Sequence, residues 1–245
     1  MNEVINLLKS RSSVRKFTDQ DIPQDILHEL IKCGQAAATS SFIQACTVIQ
    51  VDDNIKRNRL VDLAGGQPYV ASAAKFLVFC ADMNRHKLVC DMHNSKMESG
   101  YTEQFITATV DVALFAQNVM TAAQSLGIQG VYIGGIRNNI AEVSELLELP
   151  TLVYPVFGMC LGYPAQAPDT KPRLPLTVVL KTDHYQDDND TETISEYDEQ
   201  IREYYRNRTG GAKETTWSEQ IADMLIKEAR PHMKAYLNDR GFILK

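Results

Sequence analysis

Near its N-terminus the chain reads KSRSSVRKFTD, which sets Arg11 and Arg15 on either side of Ser12, Ser13 and Val14. A guanidinium is a planar fork of N–H donors that matches phosphate, and serine hydroxyls add further hydrogen bonds to the same kind of group. Taken alone, such a basic pair is more often solvated surface. Three other stretches raise the same choice. TSSFIQ brings Thr39, Ser40, Ser41 and Gln44 directly after a helical segment, a pattern that also suits a turn. AGGQPYV puts Gln67 behind two glycines, which also suits a helix C-cap. VYIGGIRNN supplies Gly134 and Gly135, and KPRLP supplies Lys171 and Arg173.

Several chemistries lose their main support. The chain has no GxGxxG after a strand, no GxxxxGK[ST], no HExxH and no GxSxG, so dinucleotide-fold, P-loop, zincin and serine-hydrolase readings have nothing to rest on. Cys90 with His93 resembles half a metal site without its other half, and no metal is expected. The five cysteines are odd in number and form no CxxC, which fits buried thiols in a reducing compartment, the cytoplasm. A net charge of −6 over 245 residues argues against nucleic acid or an anionic membrane as partner. MNEVINLLKS carries no signal-peptide core, and no apolar run is expected to be long and charge-free enough to span a bilayer.

The elements that must position these residues are legible in outline. Val4, Leu7 and Leu8 fall at helical spacing, and Ile26, Leu27, Leu30 and Ile31 form a stripe behind Pro23. ATSSFIQACTVIQVDD leads into a strand, residues 54–64 are helical, and KFLVFCAD and LVYPVFGMCLGYP read as buried strands. YTEQFITATVDVALFAQNVMTAAQSLG is a long Ala-rich helix apolar round most of its circumference, which belongs inside a fold or a subunit interface. QGVYIGG is a strand broken by two glycines, and Asn138 or Asn139 caps a short helix after it. Beyond Pro164 come a Pro-rich connector, an extended LTVVLKTD, an acidic loop HYQDDNDTETIS, a helix near 195–207 and a last helix from Trp217 split at Pro231. Strands and helices do not alternate as βαβ units, so the class is α+β.

Read in order, RSSVRKFTD, TSSFIQ, GGQPYVASAAKFLVFCAD, VYIGGIRNN, FGMCLGYP, KPRLP, YDEQ…YY and TWSEQI…KEARP resemble the nitroreductase-like flavoproteins, in particular the oxygen-insensitive NADPH nitroreductase and NADPH:flavin oxidoreductase branch. The resemblance covers the whole chain. It implies one domain over 1–245, with a mainly antiparallel sheet flanked by helices in a core of about 1–180. A C-terminal excursion with a nucleotide loop, about 181–245, embraces the partner in a homodimer.

The resemblance also implies non-covalent FMN at the dimer interface. Arg11, Ser13, Arg15, Lys171 and Arg173 match the phosphate and ribityl shell. Gln67 matches the residue at the pyrimidine edge, and Ile133, Gly134 and Gly135 those along the ring. Thr39, Ser40 and Ser41 approach from the partner chain. Arg208 matches the reader of the NADPH 2′-phosphate, and Arg230 a pocket residue for acceptor or nicotinamide. Relatives usually carry His at position 11, Arg at 12 and Ser at 39. No side chain is implied as catalytic, because hydride passes from NADPH to the flavin and two electrons then go to a nitroaromatic, a quinone or free flavin in alternating ping-pong steps. Two other readings stand beside this one: an NADPH:FMN oxidoreductase supplying free reduced flavin, and a non-enzymatic FMN-binding protein.

Overall fold

The computed structural model describes residues 2–245. Two compact units emerge, one built from the chain up to Pro168 together with Arg230–Lys245, the other from Asp169–Ala229. In chain order the first unit contains α1 (Glu3–Lys9), α2 (Gln24–Gln35), β1 (Cys46–Gln50), α3 (Asn54–Leu63), α4 (Tyr69–Ser72), β2 (Lys75–Asp82), α5 (Asn84–Met92), α6 (Thr102–Ser125), β3 (Gln129–Ile133), α7 (Ile140–Leu146) and β4 (Val153–Gly162). The second holds α8 (Leu176–Val179), α9 (Asp190–Thr209) and α10 (Trp217–Leu225), and the closing α11 (Met233–Asp239) belongs again to the first.

The class is α+β. Four strands form one antiparallel sheet in the order β1-β2-β4-β3, with β2 and β4 at its centre. Alternate residues of β2 serve two cores. Leu77, Phe79 and Ala81 join a cluster with Leu27, Leu30, Val112 and Ala116 from α2 and α6. Phe76, Val78 and Cys80 join one with Leu60, Leu63 and Val143 from α3 and α7. Burial on both faces is why KFLVFCAD is apolar without alternation. Phe76 and Phe79 are fully buried, and truncating either to Ala would cost about 3–5 kcal/mol.

The long helix α6 buries Ala108, Val112, Ala116, Val119, Met120 and Ala123 along one face. Small residues there let α2 come close: a Cβ on Gly34 would stand 2.3 Å from the Phe115 ring. By length and composition α6 is apolar enough to cross a membrane, with mean hydropathy 1.3, which corrects the expectation that no run reaches that level. Its packing against α2 and the sheet, and the buried Asp111 at its middle, make it a core helix of this fold.

Three other expectations are corrected. LTVVLKTD is not extended throughout, because Pro175 with φ −54° opens the short α8. The acidic stretch is not all loop: α9 begins at Asp190, where Asp190 and Glu192 complement the positive end of the helix dipole. Only Tyr197 and Ile201 of α9 are buried, too few to print an apolar period on the sequence. The last helix ends at Leu225, six residues ahead of Pro231, and α11 starts only at Met233. Asn139 does stand at the head of α7, but its side chain makes no cap there; the amide donates to the Leu63 carbonyl at 2.9 Å.

Candidate functional site

β3 is an edge strand, and most of the first unit's candidate residues gather along it and the turn it enters. Ile133, its last residue, is fully buried, so its side chain serves the core while its backbone leads into the Gly134–Arg137 turn. A Cβ on Gly135 would lie 2.3 Å from the Ala64 carbonyl oxygen and 2.4 Å from Gln67 Nε2. Glycine is required there by the protein's own packing. Gln67 follows Gly65 and Gly66, whose φ values of +86° and +75° turn the chain out of α3. Its Nε2 donates to the Ala64 carbonyl at 2.6 Å, and its Oε1 accepts from the Tyr69 hydroxyl at 2.6 Å. One N–H and one lone pair of the amide remain.

Arginines brace this corner. Arg57 is buried and donates to the Val70 carbonyl at 3.0 and 3.2 Å and to that of Ala73, clamping the segment that carries Gln67; burial draws its pKa down. Arg137 donates to the Val156 carbonyl. Burial, then the neighbouring Arg230 charge, lowers its pKa. Arg230 sits in the left-handed region at φ +54°. Its Nε donates to Asn138 Oδ1 at 3.0 Å and its Nη2 to the Gly134 carbonyl at 3.4 Å.

The N-terminal stretch lies beside the same strand. Val14 is buried and its N–H donates to the Gly130 carbonyl at 3.2 Å. Arg11 stands over the Tyr132 ring, 5.8 Å from its centroid, and its Nε is buried without a partner. Burial pushes the Tyr132 hydroxyl up to about 12 against the opposing Arg11 charge. Ser13 is half-buried and Arg15 exposed.

Thr39, Ser40 and Ser41 face another element. The Thr39 hydroxyl donates to Asp111 and accepts from the Gln44 N–H at 2.8 Å. The Ser40 N–H reaches the other Asp111 oxygen at 3.1 Å, and the Ala45 N–H the first at 3.1 Å. Between them Ser41, Phe42 and Gln44 hold φ values of +47°, +59° and +52°, an unusual run for residues with side chains. Ser40 and Ser41 are exposed, and Phe42 is 78% exposed. A cavity of about 520 Å³ opens beside this loop, with Phe42, Arg85, His86 and Phe115 in its wall. The Gly134–Gly135 turn takes no part in it.

The second unit carries the remaining candidates. Lys171 donates to the Tyr205 hydroxyl at 2.6 Å. Arg173 donates to the Lys171 carbonyl at 2.7 Å and is exposed. Arg208, in the last turn of α9, donates to the Tyr204 hydroxyl at 3.1 Å. Gly210 and Gly211 follow at φ +61° and +87°. Sequence reading assigned no site role to Asp111, Arg57, Asn138 or Tyr205. Asn138 was read only as a helix cap, Tyr205 lay unremarked in YDEQ…YY, and Asp111 was the one charge in the middle of an apolar helix.

The chain is an α+β protein with one antiparallel sheet and a glycine turn at the end of an edge strand, with Arg11 beside that strand. The comparisons make that class specific. The nitroreductase family model matches residues 8–163, and the model of the family's C-terminal domain matches 171–245. The chain belongs to the nitroreductase family and, like its relatives, is an oxidoreductase enzyme. It is 45% identical to the oxygen-insensitive NADPH nitroreductase of Salmonella typhimurium over 99% of both chains. With the NADPH-flavin oxidoreductase of Vibrio harveyi it shares 43% identity over 98% of both. Nitroreductase A from Vibrio parahaemolyticus superposes with a TM-score of 0.93 at 42% identity over the full length of both chains. The NADPH:FMN oxidoreductase from Vibrio harveyi complexed with NAD+ superposes at 0.92 with 40% identity, again over both full lengths.

Proposed function

We propose that the protein is an FMN-dependent, NADPH-preferring oxidoreductase that reduces nitroaromatics and quinones by two-electron ping-pong transfer. The observation that carries this is the Arg11 Nε: a buried donor without a partner, beside the strand β3 that leads into Gly134 and Gly135, where Gly135 packs against Gln67. Those residues fit a flavin mononucleotide in kind. When bound, the flavin supplies reversible hydride chemistry.

This chain's side chains bind and orient. Arg11, Ser13 and Arg15 are assigned to phosphate and ribityl, as are Lys171 and Arg173. The remaining N–H and lone pair of Gln67 suit the alternating donors and acceptors of a pyrimidine edge. Ile133, Gly134 and Gly135 offer backbone rather than side chains to the ring. Arg230 is assigned to acceptor or nicotinamide, and Arg208 to the NADPH 2′-phosphate.

Thr39, Ser40 and Ser41 are assigned to the partner's flavin in a homodimer. Ile106, Val110 and Leu114 support that assembly: they recur every four residues on α6 and are 48%, 48% and 43% exposed, an apolar stripe of the kind a second copy covers. All five cysteines are unpaired thiols, in keeping with a cytoplasmic protein.

A second reading, supply of free reduced flavin, is favoured by the names of two relatives, the Vibrio harveyi enzyme and the FMN reductase (NADPH) of Bacillus subtilis, 40% identical. Purified protein incubated with FMN should turn yellow, retain one flavin per chain and oxidise NADPH when a quinone or nitrofurazone is added. A preparation that stays colourless after incubation ends the proposal. A kcat/KM larger for free FMN than for nitrofurazone selects the second reading.

A further inference from the structure

Within the second unit, one aromatic ring joins Lys171, which the proposed function gives to the flavin phosphate, to Lys213, five residues beyond Arg208 in the proposed nucleotide loop. The Tyr205 hydroxyl accepts from Lys171 Nζ at 2.6 Å and donates to Gln220 Oε1 at 3.3 Å. Lys213, in the loop after α9, stands over the same ring with Nζ 4.1 Å from its centroid, and donates to the same Gln220 oxygen at 3.1 Å. Gln220 is fixed in turn by donating to the Thr216 carbonyl at 2.6 Å. Thr209, one turn beyond Tyr205, donates to the Tyr205 carbonyl at 2.7 Å and accepts the Lys213 N–H at 2.9 Å. Both lysines thus stand over the ring, Lys171 Nζ 4.7 Å and Lys213 Nζ 4.1 Å from its centroid, and of the two Lys171 alone also engages the hydroxyl.

A hydroxyl that both accepts and donates is fixed in direction, and so fixes what it holds. A lysine on a flexible stem otherwise spreads over many rotamers, and holding it in one removes that entropy from the binding step. Burial raises the Tyr205 pKa, but the Lys171 hydrogen bond and the two ammonium charges outweigh it, and the net direction is down.

We infer that Tyr205 is a positioning residue shared by the flavin-phosphate lysine and the nucleotide loop, so that it contributes to both FMN retention and NADPH selectivity. The inference rests on the proposed roles of Lys171 and of the Arg208 loop.

Two variants separate the halves. Tyr205→Phe keeps the ring beneath both lysines and removes the hydroxyl, which of the two only Lys171 engages. FMN Kd, measured by fluorescence quenching on flavin-stripped protein, should rise about tenfold, the order expected of a hydrogen bond to a charged group. The NADPH:NADH ratio of kcat/KM should stay within about twofold, because the contact over the ring face persists. Tyr205→Leu removes both contacts and should also lower that ratio about threefold. Lys171→Ala is the control. If it raises FMN Kd while Tyr205→Phe leaves it unchanged, the positioning role is overturned and the flavin role of Lys171 stands. If Lys171→Ala leaves FMN Kd unchanged, that flavin role falls and takes the inference with it. A Tyr205→Leu protein with an unaltered nucleotide ratio refutes the shared role.

Discussion

Asp111→Asn is the sharpest perturbation of the loop that carries Ser40 and Ser41. The carboxylate accepts three donors, and Oδ2 alone takes two of them, the Thr39 hydroxyl and the Ala45 N–H. An asparagine keeps one acceptor oxygen and turns an NH2 toward donors on the other side. The Thr39 hydroxyl rotates away, but the Ala45 N–H is fixed, and Ala45 is fully buried. One unsatisfied buried N–H costs about 1–3 kcal/mol, and loss of charge assistance on the other bonds adds about 1 kcal/mol. At about 2–4 °C per kcal/mol for a chain of this size, Tm should fall by about 5–15 °C in a differential scan. Amide exchange at Ser40 and Ala45 should quicken first, since the left-handed residues between them store on the order of 1 kcal/mol each and relax once released. A double-mutant cycle with Thr39→Val should show coupling of about 1 kcal/mol. A Tm within about 2 °C of the parent, with unchanged exchange at Ala45 and additive effects, refutes the anchoring role.

Gly135→Ala should destabilise by about 1–3 kcal/mol and weaken FMN binding, because the new Cβ meets the Ala64 carbonyl and Gln67; Gly66→Ala meets no atom within 4 Å and should cost only the backbone penalty of about 1 kcal/mol. Equal effects on flavin affinity at the two positions would remove the packing argument. Arg11→Met should change the Tm of flavin-free protein little, since its Nε has no partner there, yet raise FMN Kd about tenfold or more; an unaltered Kd excludes Arg11 from the phosphate shell. Arg208→Ala should raise KM for NADPH several-fold and leave NADH nearly unchanged, and equal shifts would take Arg208 out of that role. Burial holds the Tyr132 hydroxyl protonated up to about 12, above the unfolded value near ~10. The folded state therefore binds more protons between those values, and the stability this contributes is fully present below about pH 10 and lost as pH rises through 12. Tyr132→Phe should flatten the alkaline fall in denaturant midpoint, and an unchanged alkaline limb contradicts the assignment.

What the sequence by itself determined was whatever a short window encodes. β2 was legible to the residue because Phe76–Ala81 is buried on both faces and apolar without a break, bounded by the charges of Lys75 and Asp82. Gly65 and Gly66 marked the end of α3 because a left-handed turn selects glycine. Ordered motifs carried the family, since they sample the whole chain at once. Elements with few buried residues were misjudged: α9 hides only Tyr197 and Ile201, and α8 none.

Only the tertiary structure decided which residues of different segments meet. It set Gln67 against Gly135, Arg230 on the Gly134 carbonyl, Asp111 beneath Thr39 and Ser40, and Tyr205 between two lysines. These contacts join residues 68, 96, about 70 and, for Lys171, 34 positions apart. Hydrogen bonds and steric exclusion act over a few ångströms of space, whereas local patterning acts along a few residues of chain, so a single charge inside an apolar helix gives no sign of its partners until the helix has been packed against them.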